Sequence, residues 1–539
     1  MNKSLSYPTH IAFSASVVSI ATFLSRILGF IRDIVIARFF GVSIQASAFV
    51  VAFRLPNLFR DLLGEGAANS AIVPVLSEYL HKDSKEQEFW KIANILMRVL
   101  LLIFFTLTLL GIIFSPLLVR IMAPGFTREI LDLTVRLNRI MFAYLILIGM
   151  AAYATALLNS LGHFSIPAFS PCLLNIALII GAMISKENPF GLAIAVLAGG
   201  VLQLIIQLPV LKNYGMQFKI SGPLKHKAVT KISRLLTPRL FSSAIYQLNN
   251  IVDSVFGSLS FIVGEGAIAA LYFSYRLIQF PLALFSTSLS QVMLPTLSQI
   301  ASASVETEQF KKTFMFGLRT IIFLIIPCSV AFMVLSKTLI YSLFGGGRFS
   351  KYAVEITSGC LFYYSLGLVA YATIKLFQSA FFALKDTLTP TYISAFGLIL
   401  NVLLNALFMY KLKAKGIALA TSLSGIISAI LLGYYLQRKI GTFVFKNLIV
   451  FIVKVVLASS VMAVVCYFSQ KISYPFARGV LEKLLLLTVP IGLGGLTYFV
   501  CALFLNIEQA GLILKMVTGQ TNATFLAEVI NEQGHKKNN

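Results

Sequence analysis

Apolar stretches of roughly 20 residues or more, the length at which a helix crosses a bilayer, recur along this chain with short polar breaks between them. Fourteen spans are predicted, at about residues 11–37, 45–78, 90–121, 132–160, 165–185, 190–211, 239–262, 267–300, 311–343, 357–384, 388–410, 416–437, 446–469 and 483–506. The expected fold is an all-α polytopic membrane protein with about 14 transmembrane helices. The runs at 45–78 and 267–300 exceed the hydrocarbon thickness, which predicts tilt, breaks at Pro56 and Pro281, or extension into the cytoplasm. An even count puts both termini on one side. The basic stretch with Lys212, Lys219, Lys225, Lys227, Lys231, Arg234 and Arg239 makes that side cytoplasmic by the positive-inside rule.

The same pattern repeats once. Arg276 in SYRLIQ follows Arg54 in AFRLPN by 222 residues, and Pro295 in LPTLS follows Pro74 in VPVLS by 221. Pro390 in TLTP follows Pro167 in FSIP by 223, and Gly416 in GIALA follows Gly191 in GLAIA by 225. A near-constant offset that spans six helices keeps both copies in one orientation, so the expectation is two parallel, pseudo-symmetric six-helix bundles plus two extra C-terminal helices. The division expected is an N-lobe at 1–222, a C-lobe at 223–440, a helix pair at 441–508 and a cytoplasmic tail at 509–539.

Composition agrees with a membrane class and narrows it. Of 539 residues 58% are hydrophobic and only 12% charged, so a soluble domain is not expected. The net charge of +24 is read as loops facing anionic lipid, with nucleic-acid binding the weaker alternative. Five scattered cysteines in apolar stretches (Cys172, Cys328, Cys360, Cys466, Cys501) fit packing, not a disulfide framework or a metal site. The N-terminus runs into Arg26 and Arg32 and is expected to be a retained span, not a cleaved signal.

Charge appears where the pattern does not predict it. RILGFIRD (Arg26 to Asp33) and RLPNLFRD (Arg54 to Asp61) lie inside the first two spans. Facing lipid, Arg26, Arg32, Asp33, Arg54, Arg60, Asp61 and Glu65 would together cost on the order of 20 kcal/mol, so they must face protein or water. Arg26 and Asp33, like Arg54 and Asp61, fall about 20° apart on a helix, while Arg32 and Arg60 sit about 100° from the neighbouring aspartates. Arg32 and Arg60 are therefore expected to point into a cavity while the aspartates pair with Arg26 and Arg54. Arginine excess in a cavity predicts an anionic ligand, and the planar guanidinium suits phosphate. Arg276, with no carboxylate in its own span, belongs with Arg32 and Arg60. The bland reading, ion pairs between helices, stands beside this for Arg26, Arg38, Arg54 and Asp61.

The run SRILGFIRDIVIARFFG followed by AFRLPNLFRDLLGEGAANSAIVPVLSEY, together with YRLIQFP, resembles the MurJ (MviN) family of lipid II flippases, within the multidrug/oligosaccharidyl-lipid/polysaccharide exporter superfamily. The resemblance covers the whole chain. It implies fourteen helices in two lobes around a central cationic cavity, with the 441–508 pair forming a groove for a lipid tail. It also implies that Arg32, Asp33, Arg60 and Arg276 line the site for the lipid II head group and diphosphate and that Ser25 and Arg26 support it; Arg54, Asp61 and Glu65 are taken as further supporting residues. Lipid II and membrane lipids would be the partners, with association to the cell-wall synthesis machinery, in the bacterial inner membrane. Ser47 and Tyr275 stand where many members carry an acid, which puts carboxylate-mediated gating in question. The glycines Gly441, Gly479, Gly492, Gly494 and Gly495 would let a polyprenyl tail pack closely.

A second polar cluster is Asp253, Asn401, Asn405 and Thr421, with both asparagines on one helix face. Some family members use a C-lobe sodium site, so these four are a candidate Na+ site, against interhelical hydrogen bonding as the simpler reading. No other cofactor is expected. Lys375 and Arg319 are further intramembrane charges, Lys375 with Asp253 as one candidate partner. The alternatives are a polysaccharide-lipid flippase, a cation-coupled multidrug exporter, which should have an acidic or aromatic pocket, and a membrane enzyme, for which the five histidines offer no constellation. No GxxxxGK[ST] loop is present, so ATP hydrolysis is not expected.

Overall fold

The computed structural model describes residues 7–63, 67–80, 86–218, 224, 226–234, 251–302, 307–441, 445–473 and 480–518. Among these the regular structure is helical, apart from one isolated antiparallel bridge between Gly346 and Phe349. Ten helices are long and apolar enough to cross a membrane, or eleven with the bent pair Lys351–Leu366 and Leu368–Ala383 taken as one span. This is a multi-pass membrane protein, with ten or eleven ordinary spans among the described residues where sequence predicted fourteen. The difference falls where charge interrupts the pattern or where the chain lies outside the described residues. The first predicted span is the 34-residue helix Tyr7–Phe40, loaded with Arg26, Arg32, Asp33 and Arg38. The second is shared by Ile44–Leu63 and Ala67–Leu80. The seventh begins on residues outside the described set and continues as a helical stretch at 251–257 and the turn Ser260–Val263.

The repeat anchors occupy matching places in their helices. Pro167 and Pro390 are each the third residue of a helix, Ser165–Ser185 and Leu388–Leu412. Gly191 and Gly416 are each the third residue of the next one, Pro189–Ile205 and Ala414–Ile440. Pro74 and Pro295 both lie inside helices. Proline is tolerated in the first turn, where its missing N–H has no helical partner, so a duplicated helix start keeps it.

Two compact units form, one from 1–269 with 346–350, the other from 270–345 with 351–539. This boundary follows packing, whereas 222/223 follows sequence equivalence. In the first unit Tyr7–Phe40 packs on Ser165–Ser185, which packs on Pro189–Ile205, and Ile44–Leu63 packs on Arg128–Phe142. A buried cluster including Ile72, Leu76, Phe89, Ile92 and Leu157 holds Ala67–Leu80, Glu86–Ile113 and Tyr144–Ser160 together. In the second unit Leu388–Leu412 packs on Ala414–Ile440, and Phe445–Ser473 packs on Val480–Phe504 and Thr307–Val334.

Helix breaks in the second unit have identifiable causes. Pro281 ends an α-helix and a π-helical turn, Leu282–Thr287, follows, whereas Ile44–Leu63 runs through Pro56 without the break that was one expectation there. The Ser286 hydroxyl donates to Ala372 O at 2.7 Å across that turn. The 44° bend at Gly367 brings that residue so close to Ser422 that a Cβ would stand 2.8 Å from its Cα. In the last pair Gly494 faces Cys466 Sγ, while Gly492 and Gly495 face open space. Gly479 lies outside the described residues.

At the start of Leu388–Leu412, Asp386 accepts from Thr389 N at 3.0 Å and Thr389 Oγ1 at 2.8 Å, and from Lys439 Nζ at 2.6 Å. Burial raises its pKa, but the Lys439 and Thr389 donors and the Lys439 charge outweigh that and hold it at about 2. A depressed carboxylate contributes stability that is complete above its unfolded value and is lost as pH falls through the folded one. Asp386→Ala is expected to cost about 1 kcal/mol at neutral pH, the usual scale for a lost helix cap. Melting curves should show that difference fading between about pH 4 and pH 2.

Candidate functional site

Arg32 and Asp33 are both buried, 8% and 2% exposed, about two turns before the end of the helix Tyr7–Phe40. Arg32 Nε and Nη2 donate to one carboxylate oxygen of Asp33 at 3.0 and 2.8 Å. Arg32 Nη1 donates to Asn175 Oδ1 at 3.0 Å. Asn175 in turn donates to the Ser25 carbonyl at 3.1 Å and reaches Pro171 O at 3.4 Å. Two packed helices, Tyr7–Phe40 and Ser165–Ser185, are thus joined by a polar chain that uses the Ser25 backbone, the Arg32 guanidinium and the Asn175 amide.

This corrects the expected division of labour. Asp33 engages Arg32, and Arg26 is exposed. The 100° separation between neighbouring positions fixes where side chains leave the helix, but the arginine stem is long enough to fold its guanidinium back onto the adjacent carboxylate. Burial then favours the shortest neutralising contact, because an unpaired charge there costs far more than the bent stem. Asn175 was not singled out from sequence. Its signal is a lone amide in the apolar run CLLNIALII, which in a membrane helix must find a partner.

Arg54 is half-buried and its guanidinium donates to the Ser254 hydroxyl, next to the half-buried Asp253. The side chains of Arg60 and Asp61, and all of Glu65, lie outside the described residues. Ser47 is buried, its hydroxyl without a hydrogen-bond partner, beside a cavity of about 330 Å³ that Glu129 and Glu265 also line. All of these belong to the first unit.

In the second unit Arg276 is half-buried and donates to Gln279 Oε1 at 3.1 Å and to the Tyr272 hydroxyl at 3.4 Å, with its guanidinium carbon 5.4 Å from the centre of the Tyr272 ring. Tyr275 packs on Tyr364 with ring centres 5.4 Å apart. Lys375 donates to the Thr287 hydroxyl at 2.6 Å, in the π-helical turn. Asn405 donates to Asn401 Oδ1 at 2.9 Å, Asn401 to Thr421 Oγ1 at 3.1 Å, and Thr421 to Ile417 O at 3.0 Å. These three residues form a hydrogen-bonded relay between two helices, and Asp253 belongs to the other unit. One oxygen in the relay, Asn405 Oδ1, is buried without a partner. Among the described residues no group of three or more His, Cys, Asp or Glu side chains could hold a metal ion.

A multi-pass helical bundle with a buried, hydrogen-bonded arginine inside its first helix has the character of a membrane transporter. The chain belongs to the MurJ family: residues 36–487 match the family model described as "Lipid II flippase MurJ". A protein of Buchnera aphidicola subsp. Acyrthosiphon pisum named "Probable lipid II flippase MurJ" is 34% identical over 457 residues, 84% of this chain and 88% of that one. One of the same name from Vibrio cholerae serotype O1 is 33% identical over 518 residues, 93% of this chain and 97% of its own. A solved structure, "Lipid II flippase MurJ, inward closed conformation", superimposes with TM-score 0.74 at 28% identity, covering 90% of this chain and 98% of that one. An inward-facing multidrug resistance MATE transporter shares the fold, with TM-score 0.63 at 15% identity over 77% of this chain and 94% of its own.

Proposed function

We propose that this chain flips lipid II from the cytoplasmic to the outer leaflet of the bacterial inner membrane, for cell-wall synthesis. Family membership supports the substrate, and the observation that carries the mechanism is Arg32, buried in a membrane helix and held by Asp33 and Asn175. One carboxylate and one amide fix that guanidinium in place, so it need not reorganise to receive an anion. In this reading fourteen helices form two six-helix lobes, both termini are cytoplasmic, and Arg32, Arg60 and Arg276 face a central cationic cavity. The lobes rock around it by alternating access, the arginines taking the diphosphate from one leaflet and releasing it to the other. An inside-negative potential favours outward movement of an anion by about 2.3 kcal/mol per charge per 100 mV crossed. The polyprenyl tail would lie along the last two helices, where Gly492 and Gly495 leave open surface. Sodium, as a coupling or structural ion, would take Asn405 Oδ1 as one ligand, since that buried oxygen lacks a partner.

The test is binding of lipid II, compared with undecaprenyl phosphate and an uncharged polyprenol, to wild type and to Arg32→Ala, Arg60→Ala and Arg276→Ala. Each lost charge-assisted contact should weaken lipid II binding about tenfold to a hundredfold and leave the polyprenol unchanged. Equal binding by all variants would reduce these arginines to structural ion pairs.

A further inference from the structure

Arg319, a charge in the helix Thr307–Val334 that the proposed transport cycle does not use, closes a ring of contacts in the second unit. It lies 3.8 Å from Glu508 Oε2, and its guanidinium carbon stands 5.8 Å from the centre of the Phe451 ring. One turn along from Phe451, Lys454 donates to Leu505 O at 2.8 Å, at the end of the last span. Leu505 leads through the left-handed Asn506 (φ 51°) back to Glu508 and the helix Glu508–Val517. Three segments therefore bring Arg319, Lys454 and the start of that helix together.

The ring is built but not satisfied. Gln509 is 3% exposed, and neither its NH2 nor its carbonyl oxygen has a hydrogen-bond partner. Arg319 Nε is likewise buried without one. The Glu508–Val517 helix has no side-chain cap, so its first-turn N–H groups and positive dipole end add to the two cations. The Arg319–Glu508 separation is too long for a good charge-assisted hydrogen bond, which leaves the guanidinium with donors to offer. Arg319 beside the uncapped start of a helix whose second residue is Gln509, with Lys454 held at Leu505 just before that helix, matches a tetrahedral oxyanion. The place also suits a membrane surface: the helix follows the last apolar span and exposes Leu514 and Met516, with Phe504 83% exposed beside it. An interfacial helix of this sort meets lipid phosphates before anything else.

We propose that Arg319, Lys454 and Gln509 bind the phosphate of an anionic phospholipid at the end of the last span, at a site separate from the cargo arginines. Glu508 acts there as a weak competitor that the phosphate displaces from Arg319.

The probe is native mass spectrometry of the full-length protein with phosphatidylglycerol, with diacylglycerol of the same chains, and with inorganic phosphate as competitor. Phosphatidylglycerol should be retained in preference to diacylglycerol, and Arg319→Gln or Lys454→Gln should lower that retention by about tenfold. Gln509→Leu is the decisive variant, because it removes an amide that no protein group uses: melting temperature should hold or rise while lipid retention falls. Glu508→Gln should raise retention. Equal retention of the two lipids, or retention unchanged in Gln509→Leu and Glu508→Gln, would overturn the proposal. Displacement of the lipid by inorganic phosphate at comparable concentration would overturn the lipid assignment and leave a free-anion site.

Discussion

Asp33→Ala is expected to destabilise the first unit by about 3–5 kcal/mol, the scale for removing one partner of a buried ion pair. Arg32 would then keep its charge, since guanidinium does not deprotonate in proteins, with only the Asn175 amide to balance it. Arg32→Ala should be nearly as costly, because it takes the guanidinium away from the buried Asp33 carboxylate and leaves Asn175 Oδ1 without its donor. The double variant Arg32→Met with Asp33→Leu separates structure from function. It replaces the pair by apolar volume, so thermal unfolding in detergent should return close to the wild-type midpoint, while lipid II binding stays lost. If Asp33→Ala unfolds at the wild-type temperature, the pair is not closed in solution and the site needs redrawing.

Gly41→Val should rank second, at roughly 3 kcal/mol. Gly41 follows the first helix with φ +61°, a left-handed conformation that costs a β-branched residue about 1–3 kcal/mol. A Cβ there would also stand 2.5 Å from the carbonyl oxygen of Arg348 and 3.0 Å from its carbonyl carbon. Those are backbone atoms of segment 346–350, so relief requires the segment to lift away. Lifting breaks the Arg348 N to Arg38 O hydrogen bond of 3.0 Å and the Arg348–Glu187 ion pair, adding about 1 kcal/mol. Gly162→Ala is the control: φ is +75° but nothing stands within 4 Å, so only the conformational term of about 1 kcal/mol should appear. Equal melting temperatures for the two variants would mean that 346–350 does not rest on the first helix.

What the sequence disclosed followed periodicity, and what it hid followed side-chain reach. Apolar length marked helices such as Ser165–Ser185, Leu388–Leu412 and Ala414–Ile440 closely, and the repeat anchors returned at the same helix positions because proline and glycine are tied to particular turns. Four-residue spacing was enough to put Asn401 and Asn405 together, since a helix face is a local property. Asp33 is engaged by its own neighbour Arg32, a pairing that helical angles do not favour. Helical angles favoured Arg26, and only burial, which no single sequence carries, selects Arg32 instead. Asn175 was invisible for the same reason: one amide in an apolar run shows that a partner is needed, not which one, 143 positions away, it will be. A break at Pro281 is one of three ways the sequence allows an overlong span to fit, but the π-helical turn there and its hydroxyl contacts to Ala372 and Lys375 depend on a helix that comes later in the chain.

Segment 346–350 also bears on how this protein can be handled. A short glycine-rich connection between two helices, GGGRFS, is where an epitope tag, a protease site or a new pair of termini would ordinarily be placed. Here the backbone is already engaged with the first unit, although the chain on either side belongs to the second. A tag at that point would pull the segment off Arg38 at the end of the first helix, and a topology map drawn from it would describe an altered molecule. The turn at Gly162, with open space around it, is the better site for a reporter.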